Sequence, residues 1–282
     1  MDRDQLNQRI RRFYDASSGL WEQIWGEHMH HGYYEPDQPH KDRRQAQIDL
    51  IQQLLNWAEV TSATHILDVG CGIGGSTLEL AQRYQATVTG ISLSPWQVKR
   101  AQARAKAQGL QDQTHFQVAD ALTMPFPDQQ FDLVWSLESG EHMPDKTQFL
   151  QECLRVLKPG GRLILATWCH RPEPRSAVDQ RHLQRIYDVY CLPYVISLPE
   201  YIQIVEKLGL MDLKSADWST YVAPFWNVVI DSALDWRVVP QLFQAGWETI
   251  RAALSLRLMS RGFASGLIRY GLLTGIKPAM EE

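Results

Sequence analysis

The run Ile66-Leu-Asp-Val-Gly-Cys-Gly-Ile-Gly-Gly75 constrains this chain more than any other. A short apolar stretch carries one carboxylate, breaks into glycines, and is followed by a helix-patterned segment at Ser76–Tyr84. Glycines allow a tight strand-to-helix turn and bring bare backbone close to a ligand. In an open α/β sheet the first such turn marks where ligands sit, beyond the carboxyl ends of the strands. Further β-branched runs at Thr87–Ile91, Thr114–Val118, Phe131–Ser136 and Arg162–Thr167 predict strands, with helical periods between them. Ser94 predicts an N-cap, Pro95 a first helical residue, Gln97 the return half of a capping box, and Gly109 a C-cap. Phe149, Leu150, Cys153, Leu154 and Leu157 keep a helical period until Lys158-Pro-Gly-Gly161 stops it. Such alternation predicts an α/β fold, a parallel Rossmann-like sheet with helices on both faces.

Residues 1–60 are helical and aromatic around a Gly/Pro/His-rich interruption at Gly26–Pro39. Residues 61–170 carry the alternation. Residues 171–282 open on a Pro- and Tyr-rich insertion, return to helix and strand, and reach an apolar, Arg-spiked tail, all as parts of one integrated domain. In that tail Phe243, Trp247, Ile250, Leu254 and Leu258 share one helical face. Leu256 and Met259 leave the other side apolar too, which predicts a helix packed on the core and not one lying in lipid.

With 28 Lys+Arg against 32 Asp+Glu the formal charge is −4, which argues against nucleic acid as a partner. No apolar run approaches the roughly 18 residues of a membrane span. The opening Met-Asp-Arg-Asp-Gln predicts neither secretory signal nor transit peptide. Cys71, Cys153, Cys169 and Cys191 form no C-x-x-C pair and read as reduced thiols of a cytoplasmic protein.

Gly70, Gly72 and Gly75 fit the dinucleotide fingerprint, so a nicotinamide cofactor is one reading of the turn. Three residues oppose it. Asp68 puts a carboxylate where a pyrophosphate wants amide donors, Ser92 stands where an acid would hold the ribose, and Asp120 is placed to accept an exocyclic amine. A carboxylate at Asp68 suits the cationic end of S-adenosylmethionine. His28, His30 and His31 lack helical H-x-x-x-H spacing and nearby cysteines, so no metal is expected. They read instead as part of a lid with Tyr33 and Tyr34.

The ordered set of the glycine turn, Asp120, Phe131-Asp-Leu-Val-Trp135 and Leu157-Lys-Pro-Gly-Gly161 resembles the class I S-adenosylmethionine-dependent methyltransferases. Trp25-Gly-Glu-His-Met-His-His-Gly-Tyr-Tyr34, Ser136-Leu-Glu-Ser-Gly-Glu-His-Met143, Tyr187–Tyr194 and Tyr270–Pro278 resemble more narrowly the γ-tocopherol methyltransferases of cyanobacterial type. The resemblance implies methylation of a chromanol ring carbon ortho to the phenol, in vitamin E biosynthesis, with γ- and δ-tocopherol as acceptors. The alternative is a relative acting on another quinol, a sterol or an amine. It implies a lid over residues 1–60, with Tyr14 and Tyr33 closing on the methionine end of the cofactor. Gly70, Cys71, Gly72, Gly74 and Leu137 would line the methionine and ribose, with Asp68 on the amino group. Ser92 and Gln97 would serve ribose and adenine, and Ala119 and Asp120 the adenine edge. Glu141 and His142 are favoured over Glu138 to assist loss of the phenol proton, His142 because an unperturbed imidazole titrates near 6.5. His31, Tyr190, Tyr194 and Trp226 would line the acceptor pocket, and a prenyl tail drawn from a membrane implies weak peripheral contact with one.

Overall fold

The computed structural model describes residues 3–172, 175–233 and 247–279. Seven strands form one sheet in the order β3-β2-β1-β4-β5-β7-β6. They are β1 (His65–Val69), β2 (Thr87–Ser92), β3 (Thr114–Val118), β4 (Phe131–Leu137), β5 (Leu157–His170), β6 (Met211–Asp217) and β7 (Ile268–Ile276). The first five pair in parallel, while β7 runs antiparallel to both β5 and β6.

Ten helices surround the sheet: α1 (Arg3–Trp25), α2 (Arg43–Trp57), α3 (Gly75–Tyr84), α4 (Pro95–Ala107), α5 (Lys146–Val156), α6 (Ala177–Tyr190), α7 (Leu198–Lys207), α8 (Ser219–Val222), α9 (Pro224–Ala233) and α10 (Trp247–Ala264) among the described residues. Strand side chains alternate between faces. Ile66, Leu133, Trp135 and Ile164 therefore pack with α2, α6, α9 and α10 on one side. Leu67, Val69, Val134 and Leu163 pack with α5 and α7 on the other. The first of these clusters takes Leu50 and Leu54 from the amino-terminal segment, Trp135 from the middle and Trp226 and Tyr270 from the end of the chain.

Ser94 caps α4 as expected, its hydroxyl accepting the Gln97 N–H at 3.1 Å. The capping box does not close. The Gln97 side chain turns to Ser92 and Ser18, and the Ser94 N–H donates to the Ser92 hydroxyl at 3.1 Å. Helix α5 ends at Val156, and Leu157 already belongs to β5, which carries Lys158–Gly161 within it. Helix α10 packs against α6, α9 and β7. Leu256, Met259, Gly262 and Phe263 are buried on it, Leu258 is half-buried, and Arg257 and Arg261 are exposed. Phe243 lies outside the described residues, as do the side chains of Trp247, Ile250 and Leu254. After α10 the chain returns as the buried strand β7. All four cysteines are free and buried. No helix among the described residues is long and apolar enough to cross a membrane.

Candidate active site

A cavity lies at the carboxyl ends of β1, β2 and β4, beneath α1. Asp68, Gly70, Cys71 and Gly72 enter it from the β1 turn, Ser92 and Gln97 from β2 and α4, Ala119 and Asp120 from beyond β3. Leu137, Glu138 and His142 come from the end of β4, and Asn7, Ile10 and Tyr14 from α1. Gly70 has φ +85°, and a Cβ there would meet Ser139 Cβ at 2.3 Å, so only glycine brings the turn this close. Asp68 is buried and accepts the Thr77 hydroxyl at 2.6 Å. Burial pushes its carboxyl up to about 7, a site that a cationic group would satisfy.

Helix α1 closes over this cavity through a row of side-chain bonds. The Asn7 amide donates to Asp120 at 2.7 Å, the Ser94 hydroxyl to Asp15 at 2.5 Å, and the Gln97 amide to Ser18 at 3.0 Å. Arg100 grips Glu22 through Nε and Nη2 at 2.5–3.0 Å. Tyr14 hydrogen-bonds His142 Nε2 at 2.6 Å.

A second, smaller cavity adjoins the first. Phe13, Trp25, Trp168 and Tyr190 give it aromatic walls, and Glu141 joins them. Tyr14, Met29, Glu138 and His142 border both cavities. Their electrostatics differ sharply. Burial would raise Glu138, yet the His31 imidazole beside it and the hydrogen bonds it accepts hold it below the ordinary carboxylate range. The Glu141 carboxylate accepts the Thr167 hydroxyl at 2.7 Å, and burial together with the Glu138 charge pushes it up to about 8. Burial, with Lys146 nearby, pushes His142 down to about 3, so it is a neutral imidazole at physiological pH. Burial also raises Tyr14, which stays a phenol. The turn Gly140–His142 is pinned by the Lys146 ammonium, which donates to the carbonyls of Gly140, Glu141, Met143 and Tyr194 at 2.7–3.1 Å.

Residues 67–165 match the family model described as a methyltransferase domain. The chain is 49% identical to a probable chloroplastic tocopherol O-methyltransferase of Oryza sativa subsp. japonica, covering 97% of this chain and 79% of the relative. It is 46% identical to the chloroplastic tocopherol O-methyltransferase of Arabidopsis thaliana, covering 97% of this chain and 83% of that one. The chain belongs to the tocopherol methyltransferase family. A putative sarcosine dimethylglycine methyltransferase from Galdieria sulphuraria superposes with a TM-score of 0.82 over 94% of this chain and 99% of that one. At 23% identity that likeness concerns the fold alone.

As a tocopherol methyltransferase family member the chain is an S-adenosylmethionine-dependent enzyme. The first cavity suits that cofactor: a buried carboxyl short of a cation at Asp68, a glycine approach, and polar groups at Ser92, Gln97 and Asp120. Of the residues expected on the cofactor, Tyr14, Asp68, Gly70, Cys71, Gly72, Ser92, Gln97, Ala119, Asp120 and Leu137 line it. Two do not. Gly74 caps α3 at φ +84°, where a Cβ would press on Ala101 and Phe116 at 3.1 Å. Tyr33 stacks on Tyr221 at 4.8 Å and meets Trp218, so packing holds it outside the cavity lining.

Of the residues expected on the acceptor or in proton transfer, Tyr190, Glu141 and His142 line the second cavity. His31 and Trp226 are fully buried behind it, with their rings 5.0 Å apart, and Tyr194 lies over the Lys146 ammonium at 4.8 Å. Glu138, Met29, Lys146 and Asn7 were not among the expected site residues. The sequence offered a signal only for Glu138, which follows the β4 run directly.

Proposed function

We propose that this enzyme methylates the aromatic carbon ortho to the phenol of γ-tocopherol, and likewise of δ-tocopherol, giving α- and β-tocopherol. The observation that carries this reading is the aromatic second cavity, which meets the cofactor cavity along a shared wall and holds a titratable carboxyl. Aromatic walls with few polar groups suit a chromanol ring and its prenyl tail. When bound, S-adenosylmethionine supplies an electrophilic methyl group on a cationic sulfur.

The protein's part is to hold the ring against that methyl, exclude water and take a proton. A phenol titrates near 10 and is a poor nucleophile at neutral pH. Glu141, pushed up to about 8, sits nearest the working range of any acid or base on this wall and takes the phenol proton. His142, pushed down to about 3, is too weak a base for that role. It positions the acceptor instead, oriented by its bond to Tyr14. With the phenol oxygen held between Glu141 and His142, the ring carbon is the nucleophile. Once it has gained the methyl, its own hydrogen leaves as a proton to restore the aromatic ring, and Glu141 returns the proton it took from the phenol. The prenyl acceptor comes from a membrane, and the enzyme collects it from the aqueous side by weak peripheral contact.

The test is turnover by purified protein with S-adenosylmethionine and, in parallel, γ-tocopherol, δ-tocopherol and a non-phenolic amine, with products identified by mass and NMR. New ring methyls on the tocopherols alone are expected. A methyl ether would overturn the carbon assignment, and methylation of the amine alone would overturn the acceptor.

A further inference from the structure

On the reading just given, the methyl group crosses from one cavity to the other past the four side chains common to both, Tyr14, Met29, Glu138 and His142. Met29 carries no charge, Tyr14 is held as a phenol and His142 as a neutral imidazole. Glu138 is the one ionised member of the four. Its carboxylate is also spoken for. Oε1 accepts the His31 backbone N–H at 2.8 Å and the Tyr270 hydroxyl at 2.9 Å. Oε2 pairs with His31 Nδ1 at 2.8 Å and accepts Trp168 Nε1–H at 3.2 Å. Two oxygens offer about four lone-pair sites, so these partners fill them and leave none for a phenol proton.

The backbone fixes the carboxylate as well. Glu138 has φ +53°, an uncommon conformation for a non-glycine residue, and its N–H donates to the Ala166 carbonyl at 2.7 Å. His31 is in turn locked among the rings of Trp168, Phe225, Trp226 and Tyr270. The result is a carboxylate fixed on the wall between the two cavities, where on this reading a cationic sulfonium becomes a neutral thioether.

We propose that Glu138 is a fixed counter-charge that makes the site bind the cationic cofactor in preference to its neutral demethylated product. The partners around Glu138 serve to hold the charge in place, and His31 is the positioning residue among them. An anion beside a cation lowers the free energy of the charged ligand and is nearly indifferent to the uncharged one. The site thereby favours exchange of S-adenosylhomocysteine for fresh S-adenosylmethionine.

The test is calorimetric titration of S-adenosylmethionine, S-adenosylhomocysteine and sinefungin, which carries an amine in place of the sulfonium methyl, into wild-type enzyme and Glu138→Gln. No acceptor is present, so the result stands apart from the tocopherol assay. In the wild type both cationic ligands are expected to bind about 10-fold more tightly than S-adenosylhomocysteine. In Glu138→Gln the ratio falls to about 1 while S-adenosylhomocysteine affinity changes less than about 2-fold. Equal weakening of all three ligands would overturn the proposal and leave Glu138 a scaffold for His31. Equal affinities in the wild type would overturn it without any variant, should Glu138→Gln fail to fold.

Discussion

Burial and the Glu138 charge lift the Glu141 carboxyl from 4.5 to about 8, which sets its contributions to rate and to stability against each other. A raised folded-state value means that the folded protein holds a proton the unfolded chain has released. That stabilisation is fully present below about 4.5 and is lost as the pH rises through about 8. Asp68, raised to about 7 by burial, has the same sign. Proton transfer to Glu141 needs the opposite form. Below about 8 the ionised fraction falls about tenfold per pH unit. Turnover is therefore expected to climb toward pH 8 while the thermal midpoint declines between pH 5 and 8. Glu141→Gln should cost about 100-fold in kcat. It should also flatten the pH–rate profile and reduce the slope of midpoint against pH. A profile that keeps its slope in the variant would remove Glu141 from the proton path. The sequence placed Glu138, Glu141 and His142 together after β4 and favoured the last two, but it could not separate their roles. That separation depends on burial and on His31, which arrives from the amino-terminal segment.

Helix α1 shows how an element can be legible while its work is not. Its helical character is written in the sequence of Arg3–Trp25, and Tyr14 lines the cavity beneath it. The bonds that hold it down go to side chains far along the chain, and several are cofactor-cavity residues themselves: Asp120, Gln97 and His142. Glu22 and Arg100 form the outermost clasp, away from the cavity. Removing that clasp should ease the lid without touching the ligand. Exposed ion pairs contribute roughly 0.2–1 kcal/mol, so Arg100→Ala is expected to speed S-adenosylhomocysteine release by up to about 5-fold. The thermal midpoint should stay nearly unchanged. Stopped-flow displacement reads the rate, and an unaltered rate would mean that α1 does not open for exchange. Strands β1 to β4 were readable to within a residue or two, because alternating apolar runs between turn signals leave little choice. Strand β7 was not, since Ile268–Ile276 is apolar on both faces and offers no period to distinguish it from buried helix.

Taken whole, the molecule carries a formal charge of −4, yet the packed helices α6 and α10 both carry exposed arginines. Arg181 and Arg185 on α6 and Arg257 and Arg261 on α10 are all exposed, and His182 ties the two helices by bonding the Leu258 carbonyl at 2.9 Å. Tyr190, at the end of α6, lines the second cavity. Each arginine near an anionic bilayer is worth about 1 kcal/mol, and salt screens that attraction. Flotation with anionic vesicles should recover the enzyme at low salt and lose it at high salt. Replacing the four arginines by alanine should abolish recovery while leaving S-adenosylhomocysteine binding intact. Absence of the wild type from the vesicle fraction at low salt would dismiss the membrane contact.

The position of β7 reaches beyond the finished molecule. It is the last strand described, yet it lies between β5 and β6, and β6 has no other neighbour in the sheet. Translation delivers β1 through β5 first, so the cofactor half can assemble while one long flank of β5 is still bare. Unpaired strand flanks are templates for association with other chains. The growing polypeptide is therefore prone to aggregate until β7 has emerged to cover β5. Closure of the sheet waits for Ile268–Ile276, well after the cofactor half is in place.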